Sequence, residues 1–512
     1  MRPGRWARLL LAAIPLLLGF ATGCGDFWQA PGSGGASFTL TNSGNISMSP
    51  GSTNTATISV TPSNSFTGSV ALSCAVTTSI SGGTSPTTCG LSPTSVTISD
   101  TSAQTSTLTA TTTSTTTTGA YEVTVTGVSG SITKSTTVCV EVTSSSGSCG
   151  TTATTSGKFY ILDAGSNPGI VGASIVSGSL TAISGSPWLV TGVPHSMAIA
   201  PNGSFLVVST TGGVFSFPIT SGTLGTGVLI SDIEAYSVRV DTTSSWVVEA
   251  IPGANGFSLD AVPVNSATGA SPGAAQTQSY GLTNAALEPN QMAISGDDAN
   301  IFVALGTGGT AVVAFNHSAA SGSNPLASTS TVIDVANAGQ ALSVAVDPGT
   351  SPRLFFIGET LADPTSGASG GLRVFNYSSL GSGSPTQATG SPIASGGLAP
   401  NFILPLSTGT YAGDYVYVAN GAGQSAAGNV TGFSITAGSG STYTIATDTS
   451  TAAGAQPLGL AEDSTGSFVF AVGSQGSPYF DAYTFDPATP GQLDSQVTAT
   501  TAASSIAIVA AP

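Results

Sequence analysis

The sequence predicts an all-β chain, with a β-sandwich first and a closed ring of repeated antiparallel sheets after it. Three observations predict this. Charged residues make up only 6% of the 512 residues, and short runs of β-branched and aromatic residues alternate with polar ones, a period of two that belongs to strands. Many of the 66 glycines and 29 prolines fall between these runs, where they make turns. Finally, one stretch, "PHSMAIAPNGSFLVVST" from Pro194 to Thr210, keeps returning: "AYSVRVDTTSSWVVEA", "PNQMAISGDDANIFVAL", "ALSVAVDPGTSPRLFFI" and "PLGLAEDSTGSFVFAV".

A chain of this length is too long for one ordinary core, so two domains, or a domain and a repeat array, are expected. Its formal charge of -16 comes from 24 acidic and 8 basic residues. Three of the basic ones, Arg2, Arg5 and Arg8, stand at the extreme N-terminus. No basic footprint for nucleic acid remains.

Residues 1–24 read as an export signal: the three arginines, an apolar run from Leu9 to Phe20, then "ATGC" ending at Cys24. The run is too short to span a bilayer as a helix. Cys24 after Ala21-Thr22-Gly23 resembles the lipobox of bacterial lipoproteins. That resemblance implies a lipidated Cys24 as mature N-terminus and a membrane as partner. The alternative is an ordinary cleaved signal in which Cys24 is incidental. An envelope location follows, at the outer membrane or surface rather than the inner membrane.

Four further cysteines, Cys74, Cys89, Cys139 and Cys149, are an even number in an exported chain, which favours disulfides. Of the three connectivities, Cys74 with Cys89 and Cys139 with Cys149 close the shortest loops. No spacing suggests zinc.

Residues 25–35, "GDFWQAPGSGG", read as a linker. Residues 36–142 hold roughly seven β runs, from "SFTLTNSG" through "GSVALSCAV" and "YEVTVTGV" to "STTVCVEV". Seven short strands in that length fit an immunoglobulin-like sandwich. The order "FTGSVALSC", "TTCGLSPTSVTIS", "GAYEVTVTGVSGSITKSTTV" resembles the Ig-like modules of bacterial surface and secreted proteins, which implies a spacer or adhesion module. Residues 143–157, rich in Ser, Thr and Gly, form a second linker.

From 158 to 512 the repeated stretch recurs at Pro194, Ala235, Pro289, Ala341, Pro400, Pro457 and Ala503, at spacings of about 40 to 60 residues. Each unit has an inner run, a turn rich in Gly, Asp, Asn and Pro, and an aromatic-led run such as "FYILD" at Phe159 or "WVVEA" at Trp246. A third run follows, and in places a weaker fourth. Four strands in seven units predict a seven-bladed β-propeller. Because the region opens on a second-strand run and ends on an inner-strand run, "SSIAIVA", the two ends are expected to share one blade.

The words "GSLTAISGSPW" before "GVPHSMAIAPNGSFLVVS", the second "GSP" at Gly390, and "YVYVANGAG" before "VTGFSI" resemble the seven-bladed lactonase-type propellers. These include bacterial 6-phosphogluconolactonase relatives and YVTN-type surface propellers. The resemblance implies the fold, and lactone hydrolysis as one activity among several that such propellers host.

In a propeller, the residues just after the aligned Pro/Ala column should ring one channel mouth: His195, Tyr236, Asn290, Leu342, Asn401, Leu458 and Ser504. Five are polar. Asp163, Glu249, Glu288, Glu359 and Asn420 are expected near the same end, as ligand contacts or as plain strand-end caps. Lactone hydrolysis needs a base for water and a donor for the oxyanion. His195 is the base candidate. Arg239, which stands where Ala198, Ala293, Ala345, Ala461 and Ala507 stand in other repeats, is the electrophilic candidate unless it pairs with Asp241 or Glu234. Four cations in 158–512, Lys158, Arg239, Arg353 and Arg373, with only Arg239 well placed, argue against a phosphosugar. No cofactor is expected, save Ca²⁺ if Glu288, Asn290, Glu359, Asn401 and Asn420 converge.

The sequence thus favours a monomeric, lipid-anchored binding or scaffold module whose ligand is an envelope protein or polysaccharide. The alternative is a lactonase with His195 and Arg239 as catalytic pair. Adhesion through the Ig-like domain is a third, weaker idea.

Overall fold

A computed structural model describes residues 36–142 and 155–512 apart from short segments, of which 79–87, 283–288 and 422–427 are the longest. The described residues are almost wholly β, with one short 3-10 helix at Tyr377–Ser382. The N-terminal segment with Cys24 lies outside them, as do Cys149 and Glu288.

Residues 36–142 form two sheets. One orders the strands Ser37–Asn42, Thr53–Ser63, Gln104–Thr111 and Thr88–Ser92; the other orders Ile46–Met48, Ile132–Val142, Gly119–Ser129, Gly68–Thr78 and Ser95–Ile98. Alternate residues of each strand turn inward, so that Phe38, Ile58, Val60 and Leu108 of one sheet share a core with Val70, Tyr121, Val125 and Val138 of the other. Cys74 and Cys89 are joined, and because they lie on different sheets the disulfide ties the sandwich together. Cys139 is also disulfide-bonded; its expected partner Cys149 is outside the described residues.

Among the described residues, 158–512 form seven antiparallel sheets, six of them meanders that run from an inner strand outward in chain order. Their inner strands are Pro194–Ile199, Ser237–Val240, Gln291–Ile294, Ala341–Val346, Ala399–Pro405 and Pro457–Glu462. In the remaining sheet the C-terminal strand Ser505–Ala510 pairs with Lys158–Asp163, Phe159 facing Ala510 and Ile161 facing Ile508.

The second strands show why the sheets form a ring. They are apolar on both faces, as in Phe205–Thr210 and Phe468–Gly473, which are buried throughout. A strand buried on both faces needs a neighbour on each side. Side-chain alternation divides each strand between two cores: Phe159 and Ile161 pack with Phe468 and Phe470, whereas Tyr160 and Leu162 pack with Leu206 and Val208. Every adjacent pair of sheets shares such a core, including the seventh with the first, so the ring is closed. The chain is a β-propeller. Polarity rises outward, the outermost strands, such as Leu326–Ile333, being largely exposed.

The repeated acidic turn has a local cause. Asp241 Oδ1 accepts from the backbone N–H groups of Ser245 and Trp246, each at 2.7 Å. Asp463 Oδ1 does the same for Ser467 and Phe468, at 2.9 and 2.7 Å. In both turns the other carboxylate oxygen takes the hydroxyl of the Thr two residues on. Here the carboxylate supplies the acceptors that a tight connection takes away from the backbone.

Candidate functional site

The inner strands enclose a channel with a cavity of about 380 Å³, within the range of small-ligand sites. Its walls are mixed, the half-exposed aliphatic side chains being Ile199, Leu404, Leu458 and Ile506 among others. Its polar residues include His195, Tyr236, Arg239, Asn290, Asn401 and Glu462. Of the seven expected mouth residues, His195, Tyr236, Asn290, Asn401 and Leu458 line it and Leu342 and Ser504 do not; Glu288 lies outside the described residues.

His195 and Tyr236 start the inner strands of adjacent sheets, and their rings stack at 4.7 Å with planes 10° apart. Glu234, two residues before Tyr236, places Oε1 2.9 Å from His195 Nε2. The imidazole is thus held from two sides by one neighbouring loop. A carboxylate on one nitrogen orients the ring, the base-and-orienter relation of general base catalysis. Glu234 was considered from the sequence only as a partner for Arg239; its place one residue before the aligned Ala235 is the signal that it belongs to the mouth.

Asn290 and Asn401 reach the cavity but spend one amide donor each on the neighbouring blade. Asn290 Nδ2 donates to the Ala341 carbonyl at 3.1 Å, and Asn401 Nδ2 to the Pro457 carbonyl at 2.9 Å. The next residue along does similar work. Val238 N–H donates to Ser196 Oγ at 3.3 Å, Val344 N–H to Gln291 Oε1 at 3.0 Å, and Ser343 Oγ to the Pro400 carbonyl at 2.7 Å. Inner strands of different sheets share no ladder, so their inward backbone groups need side-chain partners. Much of the repeated polar column is this stitching.

Arg239 stands opposite Val248 on the second strand, the level at which Ala198 faces Val207, Ala345 faces Phe356 and Ala461 faces Phe470. Leu404 and Ile508 occupy that level in two further sheets, facing Tyr417 and Ile161. The guanidinium therefore enters an apolar girdle. Desolvation pushes its pKa down to about 10. It makes no ion pair among the described residues. Both carboxylates considered for it are engaged elsewhere: Asp241 in its turn and Glu234 on His195. Its Nη1 donates to the Val238 carbonyl at 2.8 Å.

Glu462, at the opposite end of the cavity, accepts from the Ser407 N–H at 2.7 Å, the Ser407 hydroxyl at 2.9 Å and the Thr408 N–H at 3.1 Å. This pairing was not anticipated from sequence.

The strand-end residues do not line the cavity. Asn420 is 1% exposed and its amide donates to the Ser395 carbonyl at 2.6 Å and to Asn429 Oδ1 at 2.9 Å. Asp163 accepts from the Gly165 N–H at 2.8 Å, and burial raises its pKa. Glu359 pairs with Arg373 inside its sheet. Glu249 faces Asp260 across the strand pair and accepts from Ser231 Oγ at 2.9 Å. Burial first, then the nearby Asp260 and Asp232, push the Glu249 pKa up to about 8. Ser504 accepts the Ala164 N–H through its carbonyl and so serves ring closure. Among the described residues no three acidic, His or Cys side chains gather as a metal site. His317 Nδ1 lies 3.6 Å from Asp298 in an outer turn, away from the cavity.

No family model matches the chain, and no curated protein does. Similar solved structures include the hydrazine synthase of Kuenenia stuttgartiensis, with 12% identity and a TM-score of 0.41 over 65% of this chain and 96% of that one. The Cps50 (Swd1) β-propeller domain of Myceliophteria thermophila gives 10% identity and a TM-score of 0.41, covering 63% and 92%. A quinoprotein alcohol dehydrogenase-like protein of Bacteroides thetaiotaomicron gives 11% identity and a TM-score of 0.34, covering 79% and 94%.

Proposed function

We propose that this chain is an exported, lipid-anchored protein of the bacterial cell envelope that presents its propeller channel as a binding site. In this reading the seven sheets are the blades of a lactonase-type propeller, and the N-terminal sandwich is an Ig-like spacer that holds it off the membrane. Cys24 carries the lipid. The ligand is an envelope polysaccharide or protein segment that meets the mouth.

The observation that carries this is the stacked His195–Tyr236 pair at the rim of the channel cavity. Stacked rings offer a flat face and polar edges, the surface on which sugar rings and extended peptides settle. The test is saturation-transfer NMR on the full mature chain with soluble cell-wall oligosaccharides. Transfer that is attenuated in Tyr236→Ala is expected; equal transfer in both proteins would remove the mouth from the proposal. For the anchor, palmitate labelling in a bacterial host should disappear in Cys24→Ser.

A second function is favoured by one feature: His195, oriented by Glu234, opens into the same cavity as Arg239. That gives a base and a cation for the oxyanion of a lactone. Hydrolysis of sugar and acyl lactones, with and without Ca²⁺, discriminates the two. Turnover that is lost in His195→Ala or Arg239→Ala would establish the lactonase, whereas none above background is expected of a binding module.

A further inference from the structure

We infer that the channel takes a monocarboxylate with an apolar tail, the carboxylate held by Arg239 and the tail lying along the half-exposed Ile199, Leu404, Leu458 and Ile506. This rests on the proposal that the channel is a binding site and names the chemistry of what enters it.

The propeller contains four cations, and three are spoken for. Lys158 Nζ donates to the Ser221 carbonyl. Arg353 Nε is 2.6 Å from Asp347, and its Nη2 donates to the Gly413 carbonyl at 2.9 Å. Arg373 pairs with Glu359. Arg239 alone among the described propeller cations has no carboxylate or loop carbonyl; its hydrogen bond goes back to its own strand. Nε and Nη2 are left for a ligand, the fork that matches a carboxylate with two parallel hydrogen bonds.

The guanidinium is half-buried among apolar side chains and has no carboxylate beside it. In place of the alanine, leucine or isoleucine found at this level in other sheets, it calls for an anion. The acidic groups that border the cavity cannot supply one from within, because Glu234 is on His195 and Glu462 is on Ser407 and Thr408. One cation suits one negative charge. A phosphate dianion would call for a second fixed positive charge, and among the described residues that line the cavity Arg239 is the only lysine or arginine. The half-exposed aliphatic side chains then receive the rest of the ligand, since burial of a hydrocarbon tail against them is favourable.

The experiment is calorimetric titration of the full mature chain with octanoate, 1-octanol and octyl phosphate. Saturable binding of octanoate is expected, with 1-octanol weaker by about 10- to 100-fold, the usual worth of a charged hydrogen-bonded contact. Arg239→Gln should weaken octanoate by a similar factor and leave 1-octanol unchanged, with Arg239→Lys between them. Circular dichroism melting of each variant checks that it folds, and the ligand comparison on the unaltered chain needs no variant. Equal affinity for octanoate and 1-octanol overturns the inference, as does unchanged octanoate binding in a folded Arg239→Gln. Tighter binding of octyl phosphate overturns the preference for a single charge. Silence from all three overturns the inference too, but if oligosaccharide transfer at Tyr236 persists, the mouth remains a binding site and only the carboxylate is lost.

Discussion

His195 Nε2 and Glu234 Oε1 lie 2.9 Å apart although 39 residues separate them, because each precedes or opens the inner strand of a different sheet. The pair therefore spans a boundary between sheets at the channel mouth. Glu234 is 44% exposed and His195 21%, so solvent screens much of their attraction.

Glu234→Gln should consequently change stability by less than about 1 kcal/mol, read as an almost unmoved urea midpoint. Its effect should appear at the mouth instead, as weaker ligand transfer to the Tyr236 ring once the imidazole is free to turn. A large loss of stability with intact binding would contradict this.

The acidic turns should behave in the opposite way. Asp241 is fully buried and Asp463 nearly so, and each satisfies two backbone N–H groups that have no substitute acceptor. Asp241→Ala and Asp463→Ala should each cost about 2–3 kcal/mol, whereas Asp→Asn, which keeps an acceptor oxygen, should cost less. The two lie on separate sheets, so the losses should add in the double variant. Denaturant midpoints of the four single variants and the double variant check this.

Glu249 predicts a pH dependence. Its folded pKa of about 8 lies above its ordinary value of 4.5, so between these values the folded chain binds more protons than the unfolded chain. Stability should then fall as pH rises from about 4.5 to about 8 and level off above, by an amount on the order of a few kcal/mol. Asp260, also raised by burial, acts in the same direction. Glu249→Gln should flatten the slope and be the more stable protein at pH 8. Parallel slopes in the two proteins would show that Glu249 ionises as an ordinary carboxyl.

Deleting residues 504–512 should prevent ring closure. The deletion strips the ladder partner from Lys158–Asp163 and removes Ile508 from the core between the seventh and first sheets. An apolar strand left as an open edge is an aggregation site. Loss of soluble protein, or rapid proteolysis near Phe159, is expected; a soluble, protease-resistant truncation would mean that the ring does not depend on the terminal strand.

The sequence determined much of this architecture directly. Alternation gave the strands, the apolar aromatic-led runs gave second strands buried on both faces, and recurrence about every 40 to 60 residues gave a ring of like units, because each signal is local and repeats. The acidic turns were visible for the same reason: Asp241 and Asp463 act on residues four and five positions away. Even the spacing of Cys74 and Cys89 pointed to a local bridge.

The site was only partly legible, since its decisive facts are relations between units distant in sequence. From the repeat alone Asn290, Asn401 and Asn420 look alike as ligand contacts. The fold engages one amide donor of the first two on the next sheet and buries the third among Ser395, Asn429 and Thr431. Arg239 was conspicuous among alanines, but whether it was paired depended on where Asp241 and Glu234 turned. Local patterns fix strands because the backbone repeats every two residues; the charge balance of a channel is set by side chains that meet only after seven sheets have closed around it.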